Sequence, residues 1–306
     1  MRNHGKTFCL LMSVCFIAAT STAAFAQVAE ATTGKCGFQT LNFPAPATNG
    51  TPAALNDSGA IVGTYVAAQS VSHGFLLYQD RLTSFMFPGS SNTTVADMSS
   101  NGIIVGDYNI AGDPRPHHYM VHSGGFHEIT LPGFPNVDFT VTGVNANGDI
   151  VGIINSQALP INGYVLHNGK VTLLLAPGSD VTQPTSINNE GVVVGVDSVS
   201  FVNSNPAFMW KDGVFSNVDP PGSDGFVTAS KVSNSGVVVG SYEAFDGTHG
   251  FALKNGTYTK IDAPDFSRET TIQAVNKFDN VLLIADIPGL NNSKEVEFKG
   301  FCGTVF

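Results

Sequence analysis

Charge, cysteine and helical periodicity are all in short supply in this chain. Charged residues make up 12% of its 306 positions, with 14 lysines and arginines against 24 aspartates and glutamates and a formal net charge of −10. Neutralising a nucleic-acid backbone takes a basic stripe. The cations here are few and scattered, so nucleic acid is excluded as a partner, and an anionic membrane surface is disfavoured on the same ground. Nowhere do ten residues hold an i, i+3, i+4 apolar stripe, which excludes a helical bundle. No Gly-x-Ser-x-Gly elbow of a serine hydrolase is present. Nor is there an alternating Asp/Asn loop closing on Glu that would hold calcium. Asp57, in Asn56-Asp57-Ser58-Gly59, has no acidic counterpart in the related segments. No cofactor and no metal is implied.

A membrane-spanning stretch is lacking as well. The apolar run from Phe8 to Ala19 follows Arg2 and Lys6 and precedes Ala24-Phe25-Ala26. It is too short to cross a bilayer comfortably and reads as an export signal, residues 1–26, cleaved before Gln27. Val14 ahead of Cys15 argues against lipid attachment. The expected mature chain, 27–306, loses Arg2 and Lys6 but no acid, so 12 cations face 24 acids, and Arg81, Arg115 and Arg268 are its arginines. A secreted or periplasmic protein, not inserted in a membrane, is expected. Cleavage also removes Cys9 and Cys15, leaving Cys36 and Cys302 at opposite ends of the mature chain. Two thiols in an oxidising compartment are more often bonded than free.

What the chain does have is a repeat. Asn188-Asn189-Glu190-Gly191-Val192-Val193-Val194-Gly195 recurs with variation from Asn56, Ser100, Asn145 and Asn234, and the second glycines fall at 63, 106, 152, 195 and 240. Steps of 43–46 residues mark a propeller or a solenoid. Each unit reads as four short strands with turn chemistry between them. In the second unit these are Thr93 to Met98, Ile103 to Tyr108, His118 to Val121 and Phe126 to Leu131. The fourth strands run into Pro88, Pro132, Pro177, Pro220 and Pro264, and proline ends an outer strand. A sixth unit is degenerate, with Ala285 where the glycine is expected, a third strand at 295–299 and no fourth. Residues 37–43 read as a fourth strand placed before any first strand. Because open sheet edges are generally avoided, the N-terminal strand is expected to complete the last sheet. The prediction is an all-β fold: one six-bladed β-propeller domain of four-stranded antiparallel blades, 27–306, monomeric. Seven blades and a two-sheet sandwich are the rivals. Closure would set Cys36 beside Cys302, where a disulfide could replace the missing hairpin turn.

The turn Ile187-Asn188 through Gly195, together with His73-Gly74-Phe75 and His249-Gly250-Phe251, resembles the HAF-repeat family of predicted bacterial extracellular proteins. That family's units carry Ile-Asn-x-x-Gly-x-Val-Val-Gly and His-Ala-Phe. The resemblance covers essentially the mature chain. It departs where Asn162-Gly163-Tyr164 and Pro206-Ala207-Phe208 lack the histidine, and it implies export and a repeat scaffold but no reaction.

In such a meander the second-to-third loops and the inter-unit crossings share one face, and these are the variable segments. Variable loops on a rigid scaffold are where recognition concentrates. The candidate binding residues there are Tyr108, Arg115, Phe134, Phe201, Phe245, Asp246, Phe266 and Arg268, with Asp113 and Asp138 beside them. His73, His117 or His118, and His249 recur at equivalent positions. They would lie on separate blades, too far apart for one metal ion, so a structural bond to a neighbouring strand is expected. The reading of function is a binding or interaction module for a glycan, a peptide or an envelope protein. The alternatives are a carbohydrate-active hydrolase or lyase at the mouth of the axial channel, and a structural envelope protein without a ligand. Thr94, Thr140, Thr185, Thr228 and Thr271 are the small residues expected to line that mouth.

Overall fold

The computed structural model describes residues 38–41, 50–155, 161–198, 204–262, 269–286 and 294–299. The signal segment, Cys36 and Cys302 lie outside the described residues.

Short alternating strands with glycine turns close into four-stranded antiparallel sheets. Five are meanders of consecutive strands. The first sheet runs Thr51–Leu55, Ile61–Val66, Ser72–Tyr78, Arg81–Phe85; the second runs Asn92–Met98, Ile104–Asn109, His117–His122, Gly125–Glu128. The third comprises Asp138–Val144, Ile150–Asn155, Asn162–His167 and Lys170–Leu174, and the fourth Val181–Ile187, Val193–Ser198, Ala207–Lys211 and Val214–Val218. The fifth comprises Val227–Val232, Val238–Ala244, Gly247–Lys254 and Thr257–Ile261. Six blades were expected, the last a degenerate unit completed by the N-terminal strand; five are continuous. The remaining sheet is a composite of both chain ends, in which Thr270–Val275, Val281–Asp286 and Lys294–Lys299 are joined by Phe38–Leu41, antiparallel to Lys294–Lys299.

The inner strands follow one another around an axis, and apolar side chains of each sheet pack on the next. Leu174 and Val165 meet Phe208 and Val193, for example, and Leu55 and Phe75 of the first sheet meet Ala274 and Leu282 of the last. The ring thus returns on itself as a β-propeller.

The repeat turn explains how the ring is tied. At its first position stands a buried Asn or Ser: Asn56, Ser99, Asn145, Asn188, Ser233 or Asn276. The side-chain oxygen of Asn188 accepts from Glu190 N and Val192 N, both at 3.0 Å, and folds the turn. Its amide also donates to Ser233 O of the next sheet at 3.2 Å, as Asn145 does to Asn188 O at 3.0 Å. Main-chain N–H groups add a second bond per junction: Ala146 N to Asn189 Oδ1 at 2.8 Å and Asn189 N to Asn234 Oδ1 at 2.9 Å. The same pair joins last to first, with Asn276 Nδ2 to Asn56 O at 3.3 Å and Lys277 N to Asp57 Oδ1 at 2.9 Å.

The second glycines have a steric cause. Gly240 pairs with Phe251 across the strand, and a Cβ there would sit 1.9 Å from Thr228 O and 2.8 Å from the Phe251 ring. Gly63, Gly106, Gly152 and Gly195 face Phe75, Tyr119, Tyr164 and Phe208 in the same way. An aromatic ring laid over a strand glycine rescues the packing that glycine gives up. In the last sheet Leu283 holds this position, paired with Glu297, rather than Ala285 as expected from the sequence. No aromatic lies opposite it in the pairing, so glycine is not required there.

Candidate functional site

Each inner strand carries a β-bulge at the same point, and the residues after it are Ala54, Asp97, Gly143, Ser186, Lys231 and Ala274. Two are charged, three units apart, and the Lys231 ammonium donates to Asp97 Oδ1. Asp97 is 1% exposed and Lys231 8%. Asp97 also accepts from Met98 N at 2.6 Å and, with its other oxygen, from Val144 N of the next sheet at 2.9 Å. The void left beside the pair is about 40 Å³, room for a few water molecules. The threonines expected at the channel mouth are not all equivalent in register. Strand register aligns Gln183, not Thr185, with Thr94, Thr140, Thr228 and Thr271. Thr185 sits in the bulge, where its hydroxyl donates to Ala229 O of the fifth sheet at 2.6 Å.

On the variable-loop face, neighbouring sheets are clasped by short parallel bridges: Ile161 with Val181, Asn205 with Phe226, and Thr248 with Glu269. At the first junction Ser72 N donates instead to Asn92 Oδ1 at 2.8 Å. At the junction of the second and third sheets the equivalent residues are Pro116 and Asp138, and among the described residues no bridge joins them. Proline has no N–H to donate. Here the sheets part, and a cleft of about 770 Å³ opens between the loop before the second sheet's third strand and the crossing to the third sheet. That is within the usual range for a small-ligand site.

The walls of this cleft combine apolar and polar groups. Ile129 and Leu131 are buried at its base, and Phe134 and Phe139 are half-buried along it. Arg115 is fixed by Asp113, which accepts from its backbone N at 3.0 Å, its Nε at 3.1 Å and its Nη2 at 2.8 Å. Those bonds hold the Asp113 carboxyl well below the usual carboxylate range. His117 lies 3.4 Å from Asp113 and 3.5 Å from Glu128 and stacks on Tyr108 at 5.0 Å between centroids. His118, 2% exposed, sits against Phe139 at 4.0 Å, and its Nδ1 lies 2.6 Å from Asp107 Oδ1. Its Nε2 is buried and has no hydrogen-bond partner.

Of the residues named from sequence, Arg115 and Phe134 meet in this cleft, with Asp113 and Asp138 beside them. Tyr108 is 4% exposed, stacked between Phe87 at 3.8 Å and His117, so it supports the wall rather than contacting a ligand. Burial and the neighbouring Glu128 charge raise its phenol pKa. Phe245 and Asp246 form the tip of the hairpin between the fifth sheet's second and third strands, well away along the ring. Phe245 is fully exposed there, while Asp246 bonds His249 Nε2 at 2.9 Å. Phe201, Phe266 and Arg268 lie outside the described residues. The recurrent histidines are His73, His117 and His249, each paired across the strand with Tyr65, Tyr108 or Tyr242 and packed on it at 5.0–5.6 Å. An aromatic contact therefore accompanies the structural role expected of them. His118 is not one of this set. It occupies the position held by Gly74, Gly163, Ala207 and Gly250 elsewhere. Sequence reasoning named it only as an alternative to His117 in the recurrent set, and did not single out Asp107, Glu128 or Phe139. The available signal was a bulky polar residue where the other four continuous units keep glycine or alanine.

No family model and no curated protein matches the chain. Among solved structures it is similar to the β-propeller domain of the Trilobed protease from Pyrococcus furiosus, at 10% identity and a TM-score of 0.56 over 82% of this chain and 81% of that one. It is also similar to AofleA from Arthrobotrys oligospora, at 10% identity and a TM-score of 0.52 over 79% and 80% of the two chains. A gluconolactonase from Xanthomonas campestris gives 12% identity and a TM-score of 0.51 over 94% and 99%. At such identities the likeness is one of fold, and the fold is a β-propeller.

Proposed function

We propose that this is an exported binding module of six blades, the composite sheet being the sixth, whose ligand occupies the cleft between the second and third sheets. One observation carries the reading. At the junction where the inter-sheet clasp is missing, two aromatic rings and a set of ordered polar side chains converge on a space of ligand size. The axis supports no equivalent role, since its acid and base are already spent on each other. That favours the binding module over an enzyme seated at the channel mouth. No helix among the described residues is long and apolar enough to cross a membrane. Export by the N-terminal signal and kinship with HAF-repeat proteins belong to the same proposal and rest on the sequence.

The test is to probe the purified 27–306 chain on glycan and peptide arrays, alongside Phe134→Ala and Arg115→Ala. Ligands retained by the parent and lost by both variants support the cleft. Ligands retained equally by all three, or lost only on changing Phe245, would move the site elsewhere on the ring.

A further inference from the structure

Resting on the cleft reading, we propose that its ligand is a neutral, hydroxyl-rich saccharide and that His118 Nε2 is the atom that reads one of its hydroxyls.

The argument begins with the tautomer. An ionised carboxylate only accepts, so the Asp107 contact at 2.6 Å places the proton of the neutral ring on Nδ1 and leaves Nε2 as an acceptor. Other histidines bonded to carboxylates have both nitrogens engaged. His167 meets Asp149 at 2.5 Å and Asn168 at 2.9 Å, and His249 meets Asp262 and Asp246, each at 2.9 Å. His118 Nε2 is buried with no partner at the edge of a cleft. His117 Nε2 beside it is also buried without a hydrogen bond, but it lies 3.4 Å from the Asp113 carboxylate, whereas no charged group is paired with His118 Nε2. A buried polar atom left unmet is costly, and one that borders a cleft is open to being met by a bound water or ligand. It is also the point at which the chain abandons its own repeat, and such departures concentrate at functional sites.

What binds must bring a donor. The other groups facing the cleft agree. Glu128 and Asp138 are acceptors, and the sole arginine on its wall, Arg115, is already forked onto Asp113. Among the described residues, no lysine lines the cleft and its arginine is paired, so an anionic ligand would meet these carboxylates with little to offset them. A saccharide offers hydroxyl donors to the acceptors and an apolar C–H face to Phe134.

The experiment uses calorimetry on the intact 27–306 chain. The probes are cellotetraose, mannotetraose and N-acetylchitotetraose, with tetragalacturonate as the anionic match and a lysine-rich peptide as the cationic one. At least one neutral tetrasaccharide should bind, and tetragalacturonate should bind at least about tenfold more weakly. His118→Gly, which installs the residue of three other units, should weaken the saccharide at least about tenfold, and free imidazole should restore part of that loss. On the unmodified chain, the ¹⁵N signal of His118 Nε2 should move on saccharide addition, a readout that does not depend on the variant folding. Preference for the uronate or the peptide would overturn the proposal. So would a saccharide lost in Phe134→Ala but indifferent to His118→Gly, or an unmoved Nε2 signal, since the orphan atom would then be met by solvent; in those cases the cleft reading stands. If no probe binds and no array ligand depends on Phe134, it is the cleft reading itself that fails.

Discussion

Removing the cation from the axial pair tests how the ring is held. Lys231→Met keeps an apolar stem of similar length but leaves the Asp97 carboxylate buried without a counter-charge. Deleting one partner of a buried pair costs about 3–5 kcal/mol. Asp97 keeps its bonds from Met98 N and Val144 N, which places the expected loss near the lower bound, about 3 kcal/mol. Adding Asp97→Asn removes the stranded charge. The amide then offers one acceptor atom where the carboxylate offered two, so one N–H loses its partner, a cost of about 1–2 kcal/mol. The double variant should therefore be more stable than Lys231→Met alone. Urea unfolding at neutral pH, followed by the fluorescence of Trp210, measures both differences. They should persist at about 1 M salt, because a pair this buried is little screened. Lys231→Met within about 1 kcal/mol of the parent, or a double variant no better than the single, would refute this account of the axis.

Three further outcomes are expected. Asp197 is buried on the fourth sheet with Oδ1 unpartnered, and burial raises its pKa to about 6, partly offset by the Thr182 and Ser179 hydroxyls. The folded state thus holds a proton that the unfolded chain has lost, so stability is fullest below about pH 4 and falls as pH rises towards 6. Asp197→Asn should flatten that slope and gain up to about 3 kcal/mol at pH 7.5, as read by thermal melts across pH; an unchanged slope would contradict it. Gly240→Ala, whose methyl would meet Thr228 O and the Phe251 ring, should cost more than about 3 kcal/mol, whereas a melt matching the parent would show that the ring can yield. Finally, alkylation of the denatured, unreduced mature chain should label neither Cys36 nor Cys302. A bond between them would close a loop of some 265 residues and contribute at most about 5 kcal/mol, and a labelled cysteine would rule it out.

Period and turn chemistry made the scaffold legible, since a glycine beneath an aromatic and an Asn- or Ser-x-x-Gly turn are local demands that the five continuous units repeat. Gly195 and Asn188 could be read from their neighbours alone. Register was less accessible. Thr185 looked equivalent to Thr140, but the pairing places Gln183, two residues earlier, at that position. The site lay further from view because it arises where repetition stops. Pro116 matters only through the bridge it fails to make with Asp138, and His118 only through its meeting with Asp107 and Phe139. Arg115 and Phe134, which line the cleft, were named because of their loop position. The burial of Tyr108 could not be foreseen, because its stacking between Phe87 and His117 has no signature in spacing.

The belt of turns has a kinetic consequence. Each of its bonds links a unit to the next one along, so neighbouring sheets can form as soon as both have been synthesised or exported. Such short-range contacts are quick to make. The bonds from Asn276 to Asn56 and from Lys277 to Asp57 are different, for they span 220 residues. They cannot form until the last unit has emerged and the arc has curved round to meet its beginning. Joining the ends, rather than building any one sheet, is then the slow event in folding. Until it happens the first and last sheets face solvent with apolar residues such as Leu55, Phe75, Ala274 and Leu282 uncovered. A chain cut short within its sixth unit would be held in that state, and its expected fate is aggregation.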